Sequence, residues 1–241
     1  MCTVTYIPSA KGNSFVLPSN RDEKAYRPTL PPSVYPHCTG KLTYPRDEKA
    51  GGSWIAISEK GKVACLLNGA FVLHAKQDYQ IISRGTILVD FAASEKNSHE
   101  FFSNTVLARV EPFTIVSIEY QNNTVLDFTE FIWDGQNKHF RQLNARSPYI
   151  WSSVTLYNEK HRNMRKDWFD RFYKENREYM TLEKILGFHS GKHTGDDTVN
   201  VVMKREGDLK TVSITQVTAV DMKLKMQYTD LVQHSLQEIT I

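Results

Sequence analysis

Cys2 has the most direct claim to chemistry in this chain. Removal of Met1 would make it the first residue, joining a thiol nucleophile and a free α-amine in one residue. An α-amine titrates near ~7.7–8.0, so at neutral pH part of it is neutral and can accept the thiol proton. With Met1 retained, that amine is blocked. Residues 3–7 alternate as a β-strand, Lys11-Gly12-Asn13 offers a turn, and Ser14-Phe15-Val16-Leu17 reads as the returning strand. The hairpin carries Asn20, Arg21, Asp22 and Glu23 back toward Cys2, setting a guanidinium and two carboxylates beside a terminal thiol. Arg21, Asp22 and Glu23 would equally serve as an ion-pair corner holding the hairpin.

Other chemistries find less support. His189 and His193 are four apart, with Asp196 and Asp197 nearby, a metal-ligand spacing on a helix. Gly187, Gly191 and Gly195 around them read as loop, which removes the common face and argues against a metal. Ser152-Ser153 and Asp127 form no serine triad, and neither a phosphate loop nor a dinucleotide fingerprint is present. Cys65 lies inside an apolar run and reads as a buried small hydrophobe.

The 241 residues are 40% hydrophobic, enough for a sizeable core, and are read as one domain, residues 1–241. Thirty basic against 27 acidic residues give a net charge of +3, too small a surplus to indicate nucleic acid. Three cysteines without a C-x-x-C spacing suit a reducing compartment. With no long apolar run and no secretory leader pattern, the expectation is a cytoplasmic protein without a membrane span. Nothing in the sequence sets an oligomeric state.

Several further elements must position these residues. Tyr26 to Asp47 holds five of the nine prolines and no sustained periodicity, which predicts a long ordered loop. A second hairpin runs from Ser53 to Ile57 and Val63 to Leu67, its second strand apolar on both faces, as in a sandwiched sheet. Helical spacing follows over 83–92 and 97–107, then a meander over 113–119, 125–133 and 138–143. Tyr157 to Tyr179 is the longest helical pattern, a cover layer with Arg162, Arg165 and Lys166 on its solvated basic face. A short helix over 181–186 and strands over 198–204, 211–217 and 223–227 complete the chain.

Met1-Cys2, Ser19-Asn20-Arg21-Asp22-Glu23, Tyr44-Pro45-x-Asp47 leading into Ala50-Gly51-Gly52-Ser53-Trp54, Cys65-Leu66-Leu67-Asn68-Gly69 and Ser83-Arg84-Gly85 together resemble the NRDE family, also called the transport and Golgi organisation protein 2 family. The resemblance implies an α+β fold, the four-layer αββα sandwich of N-terminal-nucleophile hydrolases, distantly similar to penicillin V acylase and bile salt hydrolase. It further implies that Cys2 is the nucleophile, Arg21 favours its thiolate, Asp22 orients the amine, and Asn68 donates to an oxyanion. Asn144, in Leu143-Asn144-Ala145-Arg146-Ser147-Pro148, resembles a second site asparagine of the acylases. Arg21 and Asp22 are adjacent here, unlike in the acylases, and neighbours in a strand project to opposite faces. Of the two, Arg21 is the one expected to face Cys2. No arginine in the C-terminal half matches the second arginine of the acylase site. Two functions follow: an amidohydrolase acting on a small acyl-amide, with no cofactor required, or an intracellular carrier of a hydrophobic ligand, haem or lipid, in the same pocket.

Overall fold

The computed structural model describes residues 3–9, 13–74 and 82–241. Cys2, and Lys11-Gly12 of the expected first turn, lie outside the described residues.

Alternating and apolar runs build two antiparallel sheets. One has six strands in the order β10-β1-β2-β11-β12-β13, from β1 (Thr3–Pro8), β2 (Phe15–Lys24), β10 (Tyr149–Ser152), β11 (Leu209–Val220), β12 (Lys223–Asp230) and β13 (Ser235–Thr240). The other has seven in chain order, β3 (Thr29–His37), β4 (Gly40–Asp47), β5 (Ile55–Ser58), β6 (Lys62–Asn68), β7 (Phe113–Gln121), β8 (Thr124–Trp133) and β9 (Lys138–Gln142). Their facing sides enclose the main core, with Val4, Tyr6, Leu17, Ile55, Cys65 and Val217 among its members.

Each outer face is covered by helices. Helices α1 (Arg84–Ala93) and α2 (Ser98–Asn104) bury Leu88, Phe91 and Phe102 against Ala64, Leu66, Phe113 and Phe131 of the seven-stranded sheet. Helices α3 (Glu159–Asn176) and α4 (Leu182–Ser190) bury Phe169, Ile185 and Phe188 against Ile7 of the six-stranded sheet. The layers therefore run α, β, β, α, and β6 is apolar from Val63 to Leu67 because both of its faces are covered. No helix among the described residues is long and apolar enough to cross a membrane.

Three expectations are corrected. The proline-rich stretch from Tyr26 to Asp47 is the β3–β4 hairpin rather than a loop. Proline cannot donate to a ladder, but β3 is an edge strand, and a bulge between Leu30 and Ser33 takes up Pro31 and Pro32. Pro45 sits opposite that bulge, beyond the short pairing of β4 with β5 at Leu42 and Thr43. The helix expected over 181–186 runs on to Ser190, straight through Gly187. Residues 198–204 form turns rather than a strand. The buried Asn200 side chain ties them to the preceding loop, accepting from the backbone of His193 and Thr194 and donating to Thr194 O. Finally, β10 and β13 go unmarked by the sequence pattern.

The Gly51-Gly52-Ser53 motif has a packing cause. A Cβ on Gly52 would lie 2.3 Å from the Gly85 carbonyl carbon and 2.5 Å from Thr86 N, so α1 docks on bare backbone there. Gly52→Ala should therefore cost about 1–3 kcal/mol through enforced displacement of α1. Gly187→Ala, in a helix interior with nothing within 4 Å, should gain up to about 1 kcal/mol. Urea unfolding of the two variants tests both signs.

Candidate active site

β1 and β2 pair with Thr3 opposite Asn20 and Val4 opposite Ser19, so Arg21 lies one residue beyond the partner of Thr3. On its other edge β2 pairs with β11, where a bulge between Thr211 and Ser213 falls opposite Asp22 and Arg21. Both residues remain in the strand, and they face opposite ways. Arg21 enters the space between the sheets. There its Nη2 donates to Asp47 Oδ2 at 2.7 Å, its Nη1 to Thr29 Oγ1 at 2.6 Å, and its Cζ lies 4.5 Å from the Trp54 ring centroid. Asp22 turns toward the helices, accepting from Tyr157 OH and from Thr211 Oγ1, each at 2.6 Å.

Asp47 ties the motif segments together. Arg27 Nε lies 2.8 Å from its Oδ2 as an ion contact, and Ala50 N donates to Oδ1 at 2.9 Å. Burial disfavours the charged carboxylate, but the Ala50 amide and the two guanidinium groups outweigh it and hold its pKa below the ordinary value.

Asn68 ends β6 at the same end of the molecule as Arg21. The two share a cleft of about 180 Å³ with Arg27, Asp47, Trp54 and Arg84. A second, larger cleft of about 300 Å³ begins on the other side of Asn68, lined by Leu67, Phe71, Ile132, Ile150 and Trp151. Ser153 joins the sheets between them, donating from Oγ to Asn68 O at 2.7 Å.

Asn144 is not brought to these clefts. Asn68 pairs with Phe113 and Phe113 with Trp133, whereas Gln142 pairs with Thr129 and Leu143 N donates to Phe128 O. Asn144 thus continues β9 toward the opposite end of the sheet, and its Oδ1 accepts from Arg146 N in a local turn.

The outer face of β1 and β2 carries a polar network that the sequence did not reveal. Arg165, expected on a solvated helix face, is fully buried. It donates to Thr3 Oγ1, Asn200 O and Val199 O, and its Cζ sits 3.5 Å from the ring of Tyr157, the donor to Asp22. His189 is fully buried as well. Asn20 Nδ2 donates to His189 O and Val201 O, which leaves Asn20 Oδ1 to accept from His189 Nδ1 at 2.5 Å. His189 Nε2 in turn accepts from Thr5 Oγ1 at 2.8 Å. Both ring nitrogens are thus committed, the ring is neutral, and among the described residues no group is arranged to hold a metal ion.

Burial, with the charges of His193 and Arg165, pushes the His189 pKa down to about 3. The folded value lies below the unfolded value of about 6.5, so between them the unfolded chain binds a proton that the folded chain refuses. Stability should therefore fall as pH drops through this window, with His189 adding up to about 1.4 kcal/mol per pH unit. Urea unfolding at pH 7, 6, 5 and 4 should show a steeper acid loss in the native protein than in His189→Gln.

This fold recurs in solved structures at low sequence identity. An N-acylethanolamine-hydrolyzing acid amidase ortholog from Caenorhabditis elegans matches with TM-score 0.61 and 12% identity, over 92% of this chain and 95% of its own. Penicillin V acylase from Agrobacterium tumefaciens matches with TM-score 0.59 and 10% identity, over 100% and 86%. A mutant conjugated bile acid hydrolase from Clostridium perfringens gives 0.56 and 9%, over 100% and 92%. The αββα sandwich is thus the N-terminal-nucleophile hydrolase fold. A search of curated protein sequences gives no significant match. The family model for Transport and Golgi organisation 2 spans residues 1–234, and the chain belongs to that family.

Proposed function

We propose that the protein is an amidohydrolase of the N-terminal-nucleophile type, with Cys2 as nucleophile once Met1 is removed. The observation that carries this reading is that Arg21, one residue beyond the β2 partner of Thr3, lines a cleft together with Asn68. Arg21 is the next residue of β2 after that partner, and the proposal sets a nucleophile at position 2 beside its guanidinium. In the proposed reaction the α-amine takes the thiol proton, and the thiolate, favoured by the Arg21 guanidinium, attacks the amide carbonyl. Asn68 donates to the developing oxyanion. The ammonium then protonates the leaving amine, and water, deprotonated by the same amine, releases the acyl group from the thioester. Asp22, held by Tyr157 and Thr211, fits a role in orienting the amine from the outer face of β2.

The alternative, a carrier of an apolar ligand, draws on a different place. A groove of about 420 Å³ between α4 and the far ends of β1 and β2 is lined by Ile7, Val16, Met180, Leu182 and Ile185. Its lining includes no histidine or cysteine, which suits a lipid better than haem.

Intact mass followed by limiting iodoacetamide labelling at neutral pH separates the readings. Loss of Met1, with Cys2 labelled far ahead of Cys38, supports the nucleophile; retention of Met1, or equal labelling, overturns it. Cys65 serves as the internal control, because burial pushes its thiol up to about 12. Against an N-acyl amide that the native protein cleaves, Cys2→Ala should be inactive and Asn68→Ala should lose about 10²–10³ in kcat.

A further inference from the structure

The cleft shared by Arg21 and Asn68 contains donors that its own acceptors do not use. Three carboxylates line it, and each is engaged. Asp47 is held by Arg21, Arg27 and the Ala50 amide. Glu23 accepts from Lys24 N at 2.9 Å and pairs with Arg27 at 3.3 Å. Glu111 pairs with Arg84 at 3.2 Å. The guanidinium and carboxylate charges therefore balance.

Two donors remain. Trp54 is 4% exposed, lines the cleft, and its indole Nε1 is buried without an acceptor. An N–H left so costs the folded protein the hydrogen bond it made to water in the unfolded chain. The N-terminus of α1 opens on the same cleft through Ser83, Arg84 and Gly85. It is uncapped: the Ser83 side chain makes no hydrogen bond to it, and its first turn carries no acidic residue. Its partial positive charge and first amides call for an anionic acceptor.

We propose that this cleft is a carboxylate subsite, and, resting on the amidohydrolase reading, that the substrate is an N-acyl amino acid. The two clefts meet at Asn68, and they differ in chemistry. The larger one, lined by Phe71, Ile132, Ile150 and Trp151 on one side and by Glu130, Arg162 and Lys166 on another, takes the acyl arm along its apolar side. The smaller, at about 180 Å³, takes the amino-acid arm with its carboxylate toward Trp54 Nε1 and the start of α1. With the scissile carbonyl at Asn68, hydrolysis breaks the C–N bond. Water supplies hydroxyl to the acyl carbon and a proton to the amino acid's nitrogen.

The test compares N-octanoylglycine with its neutral counterpart N-octanoylglycinamide by calorimetry on the Cys2→Ala protein, where no turnover occurs. The acid should bind at least about tenfold tighter than the amide. Trp54→Phe, which keeps a ring beneath Arg21, and Ser83→Asp, which gives the start of α1 a carboxylate of its own, should each remove most of that preference by weakening the acid far more than the amide. Equal affinity for the two ligands, binding of neither, or a preference that survives in both variants overturns the subsite. Native protein that cleaves the glycinamide as fast as the acid also overturns it, and leaves the amidohydrolase reading standing. Selective binding of the acid without cleavage by the native protein overturns that reading and leaves the subsite.

Discussion

A guanidinium buried between two sheets cannot be left alone, and much of this molecule's architecture answers the requirement set by Arg21. Removing a charge from water costs several kcal/mol unless an opposite charge and further hydrogen bonds replace the lost solvation. Asp47 supplies the charge, Thr29 an acceptor and Trp54 an aromatic face, and all three come from the segment between β2 and β5. The β3–β4 hairpin is therefore the device that brings a carboxylate back over β2, and its edge position lets prolines stiffen it without breaking a ladder. Close contact between Gly52 and Gly85 then anchors α1 against the same segment, so the start of the helix arrives at the cleft that Arg21 occupies.

The fold was legible in the sequence wherever one period dominated a long run. The meander of β7 to β9, the apolar β6 and the long helix α3 stand close to where alternation and helical spacing put them. Prolines misled the reading of β3, because composition reports that a strand is unsuited to a sheet interior but not that it lies at an edge. Glycines misled the reading of α4: Gly187 lowers helix propensity, yet burial of Ile185, Phe188 and His189 outweighs that cost. β10, only four residues long, exists because β1 offers it an edge, a tertiary fact with no local signal.

Within the candidate site, the motif residues were legible and their partners were not. Period-two alternation shows that Arg21 and Asp22 must part, and they do. What each meets is set by residues up to 189 positions away, as with Thr211 and Asp22. Arg165 illustrates the difficulty. In a helix carrying six Lys and Arg residues, nothing local marks one as buried, and only the pairing of Thr3 beneath it explains why it is. Asn144 shows the reverse: a stretch similar to a site motif, carried by strand register to the wrong end of the sheet.

The two faces of the β1–β2 pair then divide the work. Between the sheets, charge is abundant and open to a cleft. Beneath the helices, Thr3, Thr5 and Asn20 are fixed by Arg165 and by a neutral His189 in a network without solvent access. A buried network in which every member is satisfied has one favourable arrangement, so it fixes the direction in which β1 begins more tightly than apolar packing alone would. That precision matters most at Thr3, the first residue of β1, which is gripped by Asn20, Ser152 and Arg165 together. A nucleophile one residue before it would owe its aim to hydrogen bonds on the face it does not use.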